Sequence, residues 1–225
     1  MHRIMLFLLF FGTALVIPPF AHAQEVRLPT PPVGSRFDYL WSYGGLERYT
    51  IISHAGGRLR ARLEQDFEND GTVDEVGVQY WDLNSRLWLA HMGANYVSVY
   101  SPRPDVELPT AIFDGLYFSD DFDLVTSDGL SDVTSSQQMV NTSCDYLLSD
   151  SLIQTQVGTF ETIDMVCSDF DIEADGSLPA DPSLGYYYTE AWSLALGMPV
   201  AQSFGIDQST GEAADTSVLI AYELK

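Results

Sequence analysis

The sequence predicts an all-β protein, built as a single curved antiparallel sheet or partly open barrel with at most one short helix. Short runs rich in β-branched and aromatic residues follow one another, separated by clusters of Gly, Asn, Asp and Pro. Several runs alternate between apolar and polar residues, which is the period of a strand. Consecutive strands joined by short turns favour an antiparallel meander over βαβ units.

The first 23 residues are typical of a secretory signal peptide. His2 and Arg3 precede an apolar run over 4–17, and Ala21-His22-Ala23 places small residues where signal peptidase reads. The run is shorter than the ~20 residues that a retained membrane anchor needs. We therefore expect cleavage before Gln24 and a single antiparallel β domain over 24–225, without a membrane span, in the periplasm or secreted.

The first clear strands lie at 48–53 and 58–64, around a turn that begins at His54. The second strand has one apolar and one charged face. Its apolar face is Leu59, Ala61 and Leu63, and its charged face is Arg58, Arg60, Arg62 and Glu64. A turn at 69–71 follows, and the next strand sets Val76, Val78 and Tyr80 opposite Glu75, Gly77 and Gln79.

Further strands are predicted along the rest of the chain, at 86–91, 95–100, 139–148, 158–167, 185–192, 199–205 and 216–224. In the last of them Val218, Ile220, Tyr222 and Leu224 share a face. The stretch 112–123 mixes apolar residues with acids, and it is where a short helix could lie.

Cys144 and Cys167 are the two cysteines of the chain, and we expect them to form a cross-strand disulfide. Equal steps inward from each cysteine bring Ile153 opposite Gly158, which leaves a four-residue hairpin loop at 154–157. A redox-active pair is the alternative, but such cysteines usually stand closer in sequence.

The formal charge is −22, with 32 acidic residues and 10 basic ones. No basic residue lies between Arg103 and Lys225, although 22 acids do. Such a chain repels nucleic acid and anionic lipid, so neither is an expected partner. The acidity indicates either a surface that binds cations or adaptation to a salty medium, where ions screen the repulsion.

Two clusters are candidate ion sites. Asp120, Asp121 and Asp123 could hold a divalent cation such as calcium, provided that they lie in a flexible loop. Arg58, Arg60 and Arg62 could bind an anion. The alternative for these arginines is cross-strand pairing with Glu68, Asp74 or Glu75, at ~0.2–1 kcal/mol for each pair. No other metal or cofactor is predicted.

No catalytic motif stands out. His54 and His91 lie in or near predicted turns, without a metal-ligand spacing, and we expect both to be solvated. No nucleophile elbow occurs, and carboxylates are too numerous for any pair to be singled out. The sequence therefore favours a non-catalytic protein over an enzyme.

Several short segments carry a resemblance to a known group of proteins. They are 33–39 (VGSRFDY), 157–162 (VGTFET), 187–192 (YYTEAW), 196–200 (LGMPV) and the closing strand 218–224. They are similar to uncharacterised periplasmic β proteins with a domain of unknown function. The resemblance implies a curved sheet like that of the lipoprotein carriers LolA and LolB, with an apolar concave face and no catalytic residues.

The sequence thus favours an exported, non-catalytic cell-envelope protein that binds an apolar ligand or an envelope partner. Two alternatives stay open. One is a periplasmic hydrolase using carboxylates that the sequence does not identify. The other is a small outer-membrane β-barrel, although the arginine-bearing strand face and the acidic loops fit a soluble chain better.

Overall fold

The computed structural model describes residues 24–129 and 135–225, so the predicted signal peptide lies outside the described residues. Nearly all of the regular structure is strand. The strands are β1 Glu25–Val26, β2 Arg36–Trp41, β3 Leu46–Ser53, β4 Arg58–Asp66, β5 Glu75–Asp82, β6 Trp88–Gly93, β7 Val97–Pro102, β8 Ile112–Phe113, β9 Leu116–Ser127, β10 Ser135–Leu148, β11 Ile153–Thr155, β12 Gly158–Phe160, β13 Thr162–Asp171, β14 Tyr186–Ser193, β15 Pro199–Ile206 and β16 Ala213–Glu223.

Twelve of these strands form one closed antiparallel barrel. The order around the wall is β10-β13-β14-β15-β16-β2-β3-β4-β5-β6-β7-β9, and β9 pairs with β10 to close it. The all-β antiparallel prediction is confirmed, and the sheet closes completely. Closure leaves no unpaired edge in the wall.

The short helix considered for 112–123 is wrong, because this stretch forms β8 and most of β9. The helical structure in the described residues is two 3-10 turns, Ala55–Gly57 and Pro182–Leu184. Neither turn is long or apolar enough to cross a membrane.

One half of the barrel interior is a packed apolar core. Inward-facing side chains from the start or end of nearly every wall strand meet there, on the side where β2 begins and β16 ends. The largest of them are Trp81, Trp192, Tyr39, Tyr146 and Phe37, all essentially inaccessible to solvent. Aromatic rings of this size fill a wide barrel that aliphatic side chains would leave hollow. We call this side the closed end.

The segment before β2 seals the closed end. Val26 and Leu28 pack against the core, and the buried Arg86 donates from Nη2 to the carbonyls of Leu28 and Pro29, at 3.3 and 3.0 Å. The chain comes so close here that a Cβ on Gly197, whose φ is +66°, would overlap the carbonyl oxygen of Pro29. Backbone contact of this kind needs glycine.

The other half of the interior is polar, and here the apolar residues point outward. In β5 the inward set is Glu75, Gly77 and Gln79, whereas Val76 on the outer face is 43% exposed. In β16 Ser217 is buried and Val218 is only half-buried. In β5 the two predicted faces are present, and the polar face lines the interior. In β16 the shared face predicted for 218–224 is wrong, because a bulge between Leu219 and Ala221 places Val218 and Tyr222 on opposite faces of the sheet.

Cys144 and Cys167 form the predicted disulfide, facing each other across β10 and β13 with a Cα–Cα distance of 4.2 Å. The predicted loop between them is wrong. The connection forms a separate hairpin, β11 and β12, in which Thr155 pairs with Gly158. Its turn is therefore residues 156–157, two residues in place of four.

Candidate functional site

The polar half of the barrel holds a cavity of about 450 Å³. This lies within the range of small-molecule sites, ~300–1,000 Å³. Tyr96 and Tyr186 stand at its edge and are 46% and 50% exposed, so the cavity communicates with solvent. We call this side of the barrel the mouth. Strand ends from most of the wall contribute to the lining, which makes the site a product of barrel closure.

The lining combines aromatic rings with acids and amides. The aromatic group is Trp41, Tyr49, Trp88, Tyr96, Tyr100, Tyr186, Tyr188 and Phe204. The polar group is Glu47, Gln65, Glu75, Gln79, His91, Ser98, Asp169, Glu190 and Gln202. None of the described lining residues is Lys or Arg. The cavity is therefore amphipathic and rich in hydrogen-bond acceptors, unlike the apolar concave face that the resemblance implies.

Among the acids of the lining, Glu47 on β3 is the one with a buried oxygen that lacks a hydrogen-bond partner within the described residues. It is only 3% exposed, and Oε2 accepts from the Gln65 amide over 2.9 Å. Burial raises the pKa of Glu47 to about 7, an effect that the nearby Tyr49, Gln65 and Trp41 side chains oppose. Among the described residues Oε1 finds no partner with hydrogen-bond geometry. A buried carboxyl oxygen left in this state favours a ligand that supplies the missing donor.

Glu190 on β14 is equally buried but fully hydrogen-bonded. Gln202 donates to Oε1 over 2.8 Å, and the indole of Trp192 donates to Oε2 over 3.0 Å. Burial nevertheless raises its pKa to about 7, since these donors only partly offset desolvation and Glu47 adds like charge. An acid with a pKa of about 7 keeps part of its proton at neutral pH.

Asp169 on β13 is the third acid of the cavity with a raised pKa, and its side chain is half-buried. Thr142 donates to Oδ1 over 2.8 Å, and Tyr100 donates to Oδ2 over 3.1 Å. Burial raises the pKa of Asp169 to about 6, against the effect of both donors. The cavity therefore holds three carboxyl groups that titrate close to neutral pH.

His91 and Glu75 form a pair in the wall of the cavity. Nε2 of His91 lies 3.3 Å from Oε1 of Glu75, and Nδ1 lies 3.3 Å from Oε1 of Gln79. Both members of the pair are 8% exposed. A Cβ on Gly93 would overlap Oε1 of Glu75 and lie 2.6 Å from Nε2 of His91. Glycine at position 93 thus makes room for the pair.

The expectation of a solvated turn residue is wrong for His91, which is buried in a strand, whereas His54 is half-buried and directly precedes the 3-10 turn between β3 and β4. His91 lies in β6, and its ring is stacked near Tyr96 with centroids 6.2 Å apart. Nε2 of His54 lies 2.8 Å from the carbonyl oxygen of Pro31, in the segment that seals the closed end. Only His91 reaches the cavity.

Arg58, Arg60 and Arg62 lie on the outer face of β4, away from the cavity. Arg62 pairs with Glu64 of its own strand over 2.9 Å, and the guanidinium of Arg60 lies 5.4 Å from the ring centre of Tyr80. Two of the acids considered as partners for these arginines make other contacts. Asp74 accepts from the backbone N–H of Phe67, and Glu75 faces the interior. Anion binding by these arginines stays a prediction.

Asp120, Asp121 and Asp123 lie in β9 and not in the flexible loop that the calcium hypothesis requires. Successive side chains of a strand point to opposite faces, so the three carboxylates do not converge from one side. Asp121 accepts from the Asn141 amide over 2.8 Å. Within 24–129 and 135–225, no group of three His, Cys, Asp or Glu side chains is arranged to hold a metal ion. Calcium binding at these positions stays a prediction.

Sequence reasoning did not identify Glu47, Asp169 or Glu190 as site residues. They come from strands far apart in the chain and look like any other of the 32 acids. One signal was present in β5, where Gly77 and two polar residues alternate with apolar ones. Small and polar residues on one face of a strand are typical of a lined cavity.

No protein-family model matches the chain, and no curated protein matches it. Among solved structures, the crystal structure of the hypothetical lipoprotein YmcC from Escherichia coli (K12) is similar, with a TM-score of 0.44. The two chains are 9% identical, and the match covers 83% of each. No property of that protein is carried over to this chain, and the resemblance to LolA and LolB stays a prediction.

Proposed function

We propose that this chain is an exported cell-envelope protein that binds a small molecule inside its barrel. The observation that carries the proposal is the open cavity, whose lining residues include Glu47, Trp41 and Trp88. Each of these three has a buried polar atom, Oε1 of Glu47 or an indole N–H, without a partner at hydrogen-bond geometry among the described residues. Buried polar atoms are normally hydrogen-bonded, so a cluster of unpaired ones beside an open cavity favours a bound partner.

The ligand differs from the apolar one that the sequence suggested. A purely apolar molecule would leave the buried carboxyl groups without donors, which costs free energy. A molecule with donor groups on an apolar frame would satisfy the acids and pack against the rings. The location rests on the signal peptide expected from the sequence and on the disulfide, which is typical of an oxidising compartment.

NMR titrations with small aromatic compounds that are cationic, neutral or anionic test the binding proposal. We expect chemical-shift changes at residues lining the cavity, such as Gln202. Ser98 is buried and lines the same cavity, so Ser98→Phe should fill the space and abolish those changes. Shifts that persist in Ser98→Phe would place binding outside the barrel and refute the proposal. Release of the protein with the periplasm, and not with membranes, would test the location.

A hydrolase is the second candidate, favoured by the three carboxyl groups with pKa values of about 6 to 7. Such values suit a general acid at neutral pH. Binding is preferred because both oxygens of Glu190 and of Asp169 already accept hydrogen bonds from the protein. Turnover of nitrophenyl glycosides or esters that is lost in Glu47→Gln would favour the hydrolase.

A further inference from the structure

The mouth of the barrel is strongly acidic. The described connections at this end are 42–45, 67–74, 94–96, 128–129, 172–185 and 207–212. Their described acids are Glu68, Asp70, Asp74, Asp128, Glu173, Asp175, Asp181, Asp207 and Glu212. The described parts of these connections contain no Lys or Arg. A molecule approaching the cavity therefore meets a negative field, which attracts cations and repels anions.

Positive charge is concentrated away from the mouth. Arg27, Arg36, Arg58, Arg86 and Lys225 all lie at or near the closed end. Arg48, which lies between the two ends, is neutralised by Asp38 over 2.8 Å on the outer wall. Six of the 22 acids between Arg103 and Lys225 are among the described acids of the mouth, together with Glu68, Asp70 and Asp74 from the first half.

The interior of the barrel is also rich in acids and poor in basic side chains. Four carboxyl groups line the cavity, and the only basic side chain among the described lining residues is His91, which already contacts Glu75. Within the described residues, Oε1 of Glu47 has no partner at hydrogen-bond geometry, although the Tyr49 and Trp41 side chains lie close enough to lower the pKa of Glu47. A neutral ligand would give this group a donor, but only a cation would also give it a counter-charge.

The aromatic lining fits an organic cation better than a metal ion. Rings of Trp41, Trp88 and Tyr188 line the same cavity as Glu47 and Glu190. Faces of aromatic rings attract ammonium groups, with Trp the strongest. A calcium ion instead prefers six to eight oxygen ligands within ~2.6 Å. A cavity of about 450 Å³ is also far larger than one ion needs.

We infer that the cavity binds a small organic cation, with an ammonium group between Glu47 and Glu190 and an apolar frame against the aromatic rings. This inference rests on the proposed function, since it names the ligand class of the same cavity. Acids at the mouth attract the cation, and the buried acids hold it.

The test compares three compounds with the same ring and different charge: benzylammonium, benzyl alcohol and benzoate. Binding to the oxidised mature protein, residues 24–225, is measured by calorimetry at fixed ionic strength, with spermidine as a second cation. We expect benzylammonium to bind at least about tenfold more tightly than benzyl alcohol, and benzoate not to bind. Glu47→Gln removes one charge without changing shape and should weaken benzylammonium about tenfold, which corresponds to about 1.4 kcal/mol.

Asp145→Asn is the matched control, because Asp145 is an exposed acid on the outer face of β10. Asp145→Asn should change the affinity for benzylammonium by less than about twofold, as expected for a distant charge at moderate salt. An equal loss in Asp145→Asn and Glu47→Gln would overturn the inference, since it would indicate attraction by net charge alone. Failure of both cations to bind at millimolar concentration would also overturn it.

Failure of this inference is distinguishable from failure of the proposed function. If benzyl alcohol binds as tightly as benzylammonium and Ser98→Phe abolishes both, the cavity is a binding site but not one for cations. If Ser98→Phe leaves benzylammonium binding unchanged, the ligand lies outside the barrel, and the proposed function fails together with the inference.

Discussion

The hydroxyl of Tyr100 donates to Oδ2 of Asp169 over 3.1 Å, although β9 and β10 separate their strands in the wall. The bond therefore spans the curved inner surface and depends on closure of the barrel. It also helps to hold the charged form of this acid, because a donor to a carboxylate lowers its pKa.

Tyr100→Phe should raise the pKa of Asp169 above its present value of about 6. The substitution removes one donor to the ionised form and leaves Thr142 as the other. A carbon-detected NMR titration of the aspartate carboxyls would measure the change. Tyr187→Phe is the control, since Tyr187 donates to the carbonyl of Pro182 at the surface and should leave Asp169 unaffected. An unchanged pKa in Tyr100→Phe would contradict the role of this bond.

The cavity acids should make the ligand-free protein less stable as pH rises from about 5 to 8. Glu47, Glu190 and Asp169 have higher pKa values in the folded protein, about 7, 7 and 6, than their ordinary 4.5, 4.5 and 3.8. The folded state therefore binds more protons than the unfolded state between these limits. Stability contributed by protonation is present at low pH and is lost as pH rises through the folded pKa values.

The other titratable groups near these acids do not reverse the loss of stability with rising pH. Glu47 and Glu190 face the neutral phenols of Tyr39 and Tyr49, whose pKa values burial and these carboxylates raise further. The exposed acids with lowered pKa values, such as Asp207, oppose the trend only below about pH 4. Melting temperature against pH at high salt measures the effect. The Glu47→Gln, Glu190→Gln double variant should show a shallower slope, and an unchanged slope would contradict this account.

Much of the fold could be predicted because strand patterns are local. The alternation of β4 placed Arg58 and Arg62 on one face of the strand from sequence alone, and in the barrel this face is the outer one. The same rule could not orient β5, where Val76 lies outside and Glu75 inside. A period of two separates two faces, but only closure of the barrel decides which face is inside. The cavity acids were missed for the same reason.

Gly93→Ala should destabilise the protein by about 1–3 kcal/mol, the usual cost of overpacking. The added Cβ would overlap Oε1 of Glu75 and displace the contact with His91. Chemical denaturation measures the loss. In a Glu75→Ala background the cost should be smaller, because the overlapping oxygen is gone. Equal costs in both backgrounds would show that the glycine is required for another reason.

Melting temperature should rise as salt increases from low to physiological concentration and beyond. Nine described acids crowd the connections at the mouth without a Lys or Arg among them, and dissolved ions screen their repulsion. Calcium and magnesium are compared at equal ionic strength. A much larger effect of calcium would indicate a specific site, and Asp121 and Asp123 would be replaced first. A melting temperature independent of salt would contradict the repulsion.

The disulfide between Cys144 and Cys167 should stabilise the barrel by roughly 3–3.5 kcal/mol, the loop-entropy value for this separation. The bond joins β10 to β13 at the level of the apolar core, where both residues are buried. Alkylation without reductant, followed by mass measurement, should find no free thiol. The Cys144→Ala, Cys167→Ala double variant should melt several degrees lower with the same fold.

The double variant also removes two buried sulfur atoms, so lost packing adds to its lower melting temperature. The reduced wild-type protein separates the two effects, because it keeps both sulfurs and lacks only the covalent link. We expect reduction alone to account for most of the decrease, since the link acts chiefly on the unfolded chain. Two alkylated thiols in protein taken from the periplasm, or equal melting temperatures for the oxidised and reduced forms, would refute this prediction.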